Sequence, residues 1–184
     1  MFVLYGGRYA DILEHYGHFC GMSAEEIKRE THEIRSVVNA MSQVVETAGW
    51  DGAWFLRAYD AFRRPVGSHT NDEGRIFLEP QGMCVMAGIG LTDGKARRAL
   101  RSTHDMLAGE WGAAILAPAY SRYHVELGEI STYPQGYKEN GGIFCHVNPW
   151  LSIADSMVDA DEEAFAAYRK TSPAYCEDRS DIRK

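Results

Sequence analysis

Ser23 and Glu26 stand immediately before a long periodic apolar run, and that pairing constrains the fold of the 184-residue chain more than any other feature. In a capping box each side chain satisfies a free backbone N–H of the other's turn, so a helix starts there. Ile27, Ile34, Val37, Val38, Met41, Val44, Val45 and Ala48 then recur at helical spacing, which predicts one apolar stripe along a helix from Ser23 to about Ala48. Such a stripe requires a partner. The preceding segment, Phe2 to Cys20, supplies Leu4, Ala10, Ile12, Leu13 and Tyr16, with Gly21 placed as its C-cap. The two segments predict a helical hairpin.

Beyond Trp50 the pattern changes. Ala53–Tyr59 and Arg75–Leu78 are short aromatic and β-branched runs on either side of a polar loop, Pro65–Gly74, which predicts a small β-hairpin or extended excursion. Gln81–Leu91 and Gly94–Leu107 read as a second helical pair, with Asp93 near the start of the latter and Ala96, Leu100 and Leu107 on one face. Pro118 to Pro149 is punctuated by Gly128, Pro134, Gly136, Gly141 and Gly142 and reads as one long loop. Helix returns at Pro149–Met157 and Glu162–Lys170, the latter preceded by Asp159 and Asp161, which suit a helix N-terminus. The expected class is mainly α: helical hairpins joined by short turns and long decorated loops, as in part of an (α/α)6 toroid. Periodicity alone does not separate that from an irregular helical bundle.

Composition narrows the function. The formal charge is −7 and Lys and Arg are scattered, so no basic stripe marks a nucleic-acid or anionic-membrane surface. No apolar run approaches the length of a membrane span, and Met1–Ala10 lacks the order of a signal peptide, so a cytoplasmic protein is expected. Cys20, Cys84, Cys145 and Cys176 are far apart without a CxxC pair, which predicts buried free thiols rather than a disulfide framework or zinc site.

The long loop is where chemistry concentrates, because extended irregular segments in compact domains are commonly functional. Within EISTYPQGYKENGGIFCHVNPW, Glu129, Tyr133, Lys138, Glu139 and His146 lie among glycines and aromatics. Carboxylates accept hydrogen bonds from sugar hydroxyls, Lys donates them, and ring faces stack on C–H surfaces, so the mixture fits a carbohydrate. Cys145 and His146 have no nearby residues to complete a metal site. As adjacent residues they are poorly placed for a nucleophile and base. His124 reads as structural, Asp51, Asp60 and Asp72 as turn or loop residues, and Trp50, Trp54 and Trp150 as core packing.

Three motifs in order, GWDGAWFLRAYD (Gly49–Asp60), EGRIFLEPQGMCVMAGIGL (Glu73–Leu91) and YPQGYKENGGIFCHVNPW (Tyr133–Trp150), resemble the cellobiose and chitobiose phosphorylases of glycoside hydrolase family ninety-four. The likeness runs from about Phe2 to Lys184, including SPAYCEDRSDIRK (Ser172–Lys184). It implies that residues 1–184 are the C-terminal segment of an (α/α)6 catalytic domain, an incomplete barrel whose remainder is a partner in the fold. The implied reaction is inverting phosphorolysis of a β-linked disaccharide, with inorganic phosphate as co-substrate and no other cofactor. Phosphate needs no general base, but one carboxylic acid must protonate the leaving oxygen. In the family that acid lies in an upstream Asp-Trp-Asn-Asp motif, which this sequence does not contain, so no catalytic residue is expected here. The resemblance assigns Glu139 to hydroxyls of the transferred sugar and Lys138, Tyr133 and Glu129 to the leaving sugar. It assigns His146 to phosphate. It also implies a homodimer, and places further phosphate contacts outside the chain. Two other readings remain: an inactive or weakly sugar-binding fragment, and a related toroid glycosidase or cyclic-glucan-forming enzyme.

Overall fold

The computed structural model describes residues 1–176; the Cys176 side chain and the remainder of the Ser172–Lys184 motif lie outside the described residues. Among them the chain is mainly α. The predicted hairpin consists of α1 (Phe2–Tyr16), a 3-10 turn (Gly17–Cys20) and α2 (Ala24–Thr47). Ser23 caps α2 as expected: its N–H donates to Glu26 Oε2 at 2.8 Å and its Oγ accepts from the Glu26 N–H at 3.3 Å. Gly21 ends the turn at φ +80°, a conformation that glycine adopts without strain. The helices approach closely at Gly6, where an added Cβ would lie 2.8 Å from Val38 Cγ2.

The stripe on α2 divides. Ile27, Ile34, Val38 and Val45 are half-buried, whereas Val37, Met41 and Val44 are exposed, as are Phe2, Tyr5, Tyr9 and Ile12 on α1. One partner helix covers only part of an apolar arc this wide.

The main core lies elsewhere, between α3 (Leu78–Met86), α4 (Lys95–Leu107), α5 (Asn148–Met157) and α6 (Asp161–Thr171). Leu78, Val85, Leu100, Leu107, Leu151 and Val158 meet there with Phe55 and Ile76. A short α7 (Pro173–Cys176) follows. Asp93 Oδ1 accepts from the Lys95 N–H at 3.1 Å, starting α4 where the sequence placed it. The β excursion differs in its pairing. Strand β1 (Ala58–Tyr59) pairs with β2 (Pro65–Val66), while β3 (Ile76–Phe77) pairs with the distant β6 (Leu116–Ala117). A third pair, β4 (Ala108–Gly109) with β5 (Gly112–Ala113), follows α4. Phe77, Ile115, Leu116 and Tyr120 form a second small core beneath the long loop.

Three buried side-chain amides fasten the irregular segments to this frame. Gln81 Oε1 accepts from the Phe55 N–H and Nε2 donates to the Phe55 carbonyl, both at 2.8 Å. Asn148 treats Ala113 in the same way, at 2.7 and 3.0 Å, and Asn140 treats Tyr120 likewise, at 2.7 and 2.8 Å. Each amide also donates to a second carbonyl, of Phe77, Phe144 and Tyr133 respectively. The amide matches one residue's donor and acceptor as a neighbouring strand would, so a buried loop backbone is satisfied without a sheet.

Helices α4 and α5 are tied by His104, whose Nε2 stands 2.9 and 3.1 Å from the two oxygens of the buried Asp155 carboxylate. The hydrogen bond to Asp155 raises the imidazole pKa above its ordinary 6.5, while burial pushes the Asp155 carboxyl up, partly offset by His104. A raised imidazole value means that the imidazole's own contribution to stability is complete below pH 6.5 and is lost as pH rises through the folded-state value. The melting temperature of the complete protein is therefore expected to fall with rising pH above 6.5, and a His104→Gln variant to show a flatter fall. Equal slopes in thermal melts of the two would contradict this.

Candidate sugar and anion site

The loop between β6 and α5 is built from the Asn140 anchor outward. With Asn140 holding Tyr120 and the Tyr133 carbonyl, the intervening chain folds into a 3-10 turn, Gly128–Thr132, that carries Glu129. The Tyr133 hydroxyl donates to Glu129 Oε1 at 2.6 Å. That bond, with burial and the charges of Glu129 and Glu139, pushes the phenol up to about 12. Lys138 follows in a tight turn at φ +47°, held by the Gly142 N–H donating to its carbonyl at 3.0 Å. A Cβ at Gly142 would stand 2.5 Å from that carbonyl oxygen, so glycine is required there. The left-handed backbone at Lys138 is uncommon for a residue with a side chain. Its ammonium rests 4.8 Å from the Tyr133 ring centroid and 5.7 Å from that of Tyr137, a cation–π cradle. Glu129, Tyr133 and Lys138 thus form one contact cluster.

Glu139 and His146 are exposed, and among the described residues no hydrogen bond joins them. His146 lies edge-on to Phe144 and Trp150, with centroids at 5.3 and 6.2 Å. What relates it to Glu139 is Glu79, in the first turn of α3. Burial raises the Glu79 carboxyl, Arg57 and His146 lower it, and Glu139 adds to the rise, so both loop residues lie within electrostatic reach of this carboxylate.

Glu79 was not singled out from sequence. An acidic residue in a helix's first turn is ordinarily accounted for by the dipole, and only the return of the long loop onto α3 reveals its second setting. Other polar residues weighed in the sequence are engaged within the fold. His124 Nε2 pairs with Glu73 Oε2 at 3.2 Å, Asp51 accepts from the Ser68 hydroxyl and the His69 N–H, and Asp60 Oδ1 accepts from the Phe62 and Arg64 N–H groups. Trp54 is buried and donates to the Gly67 and Arg75 carbonyls, while Trp50 and Trp150 pack against the core. The cysteines differ: among the described side chains Cys20 and Cys145 are exposed free thiols and Cys84 is a half-buried one, its thiol pushed up to about 12 by burial, while the Cys176 side chain lies outside the described residues. Among the described residues, no group of three or more His, Cys, Asp or Glu could hold a metal ion, and no helix is long and apolar enough to cross a membrane.

Comparison with known proteins agrees with this architecture. The chain is 32% identical over 161 residues to the solabiose phosphorylase of Paenibacillus borealis, which covers 86% of the chain and 21% of that protein. It is 26% identical over 143 residues to the N,N'-diacetylchitobiose phosphorylase of Vibrio furnissii, covering 77% of the chain and 18% of the relative. A cyclic beta-(1,2)-glucan synthase of Rhizobium meliloti is 29% identical over 141 residues, 74% of the chain and 5% of the synthase. The chain therefore spans about a fifth of the length of the two phosphorylases. The family model described as the Glycosyl hydrolase 94 superfamily, catalytic domain, matches residues 2–184, and the chain belongs to that family.

Proposed function

We propose that the protein carrying this chain catalyses inverting phosphorolysis of a β-linked disaccharide, of the cellobiose or chitobiose type, and that residues 1–184 supply part of its sugar and phosphate subsites as the C-terminal segment of the barrel. The observation that carries this reading is the Glu129–Tyr133–Lys138 contact cluster, with Glu139 and His146 exposed on the same loop. A phosphate oxygen attacks the anomeric carbon as the glycosidic C–O bond breaks. The leaving oxygen takes a proton from a carboxylic acid supplied by the remainder of the barrel. An N–H of His146 donates to the attacking anion. Glu139 accepts hydroxyl hydrogen bonds from the transferred sugar, while Lys138, Tyr133 and Glu129 hold the leaving sugar.

The test is the reverse reaction in the complete protein. Supplying an α-sugar 1-phosphate with a free acceptor sugar is expected to release inorganic phosphate and form a disaccharide. Transfer between glucan chains without any dependence on phosphate would overturn the proposal and favour the synthase-like reading.

A further inference from the structure

Tyr120 is 4% exposed, with its ring in the small core of Phe77, Ile115 and Leu116 beneath the long loop. Asn140 holds its backbone, but no described group is hydrogen-bonded to its hydroxyl. A buried phenol ordinarily finds such a partner. Gly74 makes room for the oxygen: it stands at φ +58°, and a Cβ there would collide with the Tyr120 hydroxyl. The hydroxyl reaches instead a cavity of about 440 Å³ between the β1–β2 hairpin and the segments 70–73 and 120–127. Arg122 and Asp72 line the same cavity, and among the described residues neither makes a hydrogen bond or ion pair. Two further pairs on the wall are closed: His124 Nε2 with Glu73 Oε2 at 3.2 Å, and Arg64 Nε with Asp60 Oδ2 at 2.6 Å.

We propose that this cavity is a second saccharide site, which binds one neutral hexose unit through the Tyr120 hydroxyl, Arg122 and Asp72. Its volume suits a small ligand. The three free groups offer a guanidinium donor, a carboxylate acceptor and a hydroxyl that serves as both, the set that neighbouring sugar hydroxyls satisfy. Pro65, Val66 and Leu127 supply apolar wall for C–H faces. An anion is disfavoured, because Asp60, Asp72, Glu73 and Glu126 outnumber Arg64, Arg122 and His124. Leu127 leads directly into the turn Gly128–Thr132 that carries Glu129, so the chain joins this cavity to the proposed leaving-sugar cluster. The unit bound is the outer residue of a substrate longer than a disaccharide, or a free hexose; the chemistry of recognition is the same. The first source rests on the function proposed above, whereas the binding itself does not.

The experiment compares wild type, Tyr120→Phe and Arg122→Ala in the complete protein. Calorimetry titrates D-glucose and N-acetyl-D-glucosamine, and steady-state kinetics compare the β-linked di- and trisaccharides of each sugar. Saccharide affinity is expected to fall about fivefold in Tyr120→Phe and about tenfold in Arg122→Ala, the worth of a neutral and of a charge-assisted hydrogen bond. The disaccharide KM should not move. A fall confined to the trisaccharide KM assigns the unit to a longer substrate, and a fall in monosaccharide affinity assigns it to a free hexose. Because the Tyr120 hydroxyl has no described partner, Tyr120→Phe should melt no lower than wild type. Unchanged affinity for every saccharide in both variants would overturn the assignment. So would a lower melting temperature in Tyr120→Phe, which would mark the hydroxyl as a structural donor in the complete protein. Absence of phosphate-dependent turnover in the wild type would instead remove the proposed function and leave the calorimetric comparison standing.

Discussion

Replacing Asn140 by Asp is expected to destabilise the protein by about 3 kcal/mol or more, although the two side chains have nearly the same shape. Asn140 is 0% exposed. Its Oδ1 accepts from the Tyr120 N–H at 2.7 Å, and its Nδ2 donates to the carbonyls of Tyr120 and Tyr133 at 2.8 and 2.7 Å. In the Asp variant an oxygen replaces the donor and faces two carbonyl oxygens. Two buried acceptors lose their partner and a buried charge is introduced. For a complete protein of which this chain is about a fifth, as in its relatives, the loss corresponds to a melting temperature lower by roughly 2–4 °C. The same change releases the segment between Tyr120 and Tyr133 that carries Glu129, so sugar affinity should fall with stability. A thermal melt of the complete protein checks it; a midpoint within a degree of wild type would contradict the anchoring role.

His146→Ala is expected to lower kcat/KM for phosphate on the order of a hundredfold, the usual cost of removing one donor to an anionic reacting group. Disaccharide KM should change much less, because the leaving-sugar role is proposed for the Glu129–Tyr133–Lys138 cluster, in which His146 makes no contact. The fold should hold: His146 is exposed and meets Phe144 and Trp150 only by ring edges. Steady-state kinetics with phosphate and disaccharide varied in turn separate the two. Unchanged phosphate dependence would remove the role assigned to this residue.

Local chemistry was legible and long-range chemistry was not. The Ser23–Glu26 box determined the start of α2 because a capping box involves only one turn, and Gly21 and Asp93 were readable for the same reason. The adjacency of the Ala53–Tyr59 and Arg75–Leu78 runs suggested a hairpin, yet Ile76–Phe77 pairs with Leu116–Ala117, since nothing in a strand's own pattern names its partner. The division of the α2 stripe depends on where α1 crosses it. The candidate residues Glu129, Tyr133, Lys138, Glu139 and His146 share one loop and could be gathered by composition and resemblance. The amides of Gln81, Asn140 and Asn148 were silent, as nothing local distinguishes a buried amide from a solvated one.

The central claim is that one cleft holds both a sugar and an inorganic anion between Glu129 and His146. Its most direct test is a crystal structure of the complete protein soaked with disaccharide and phosphate. The prediction is phosphate within hydrogen-bond distance of the His146 imidazole, and a sugar ring with hydroxyls on the Glu139 carboxylate in the same cleft. Phosphate bound away from His146, or sugar density in a separate cavity, would contradict it.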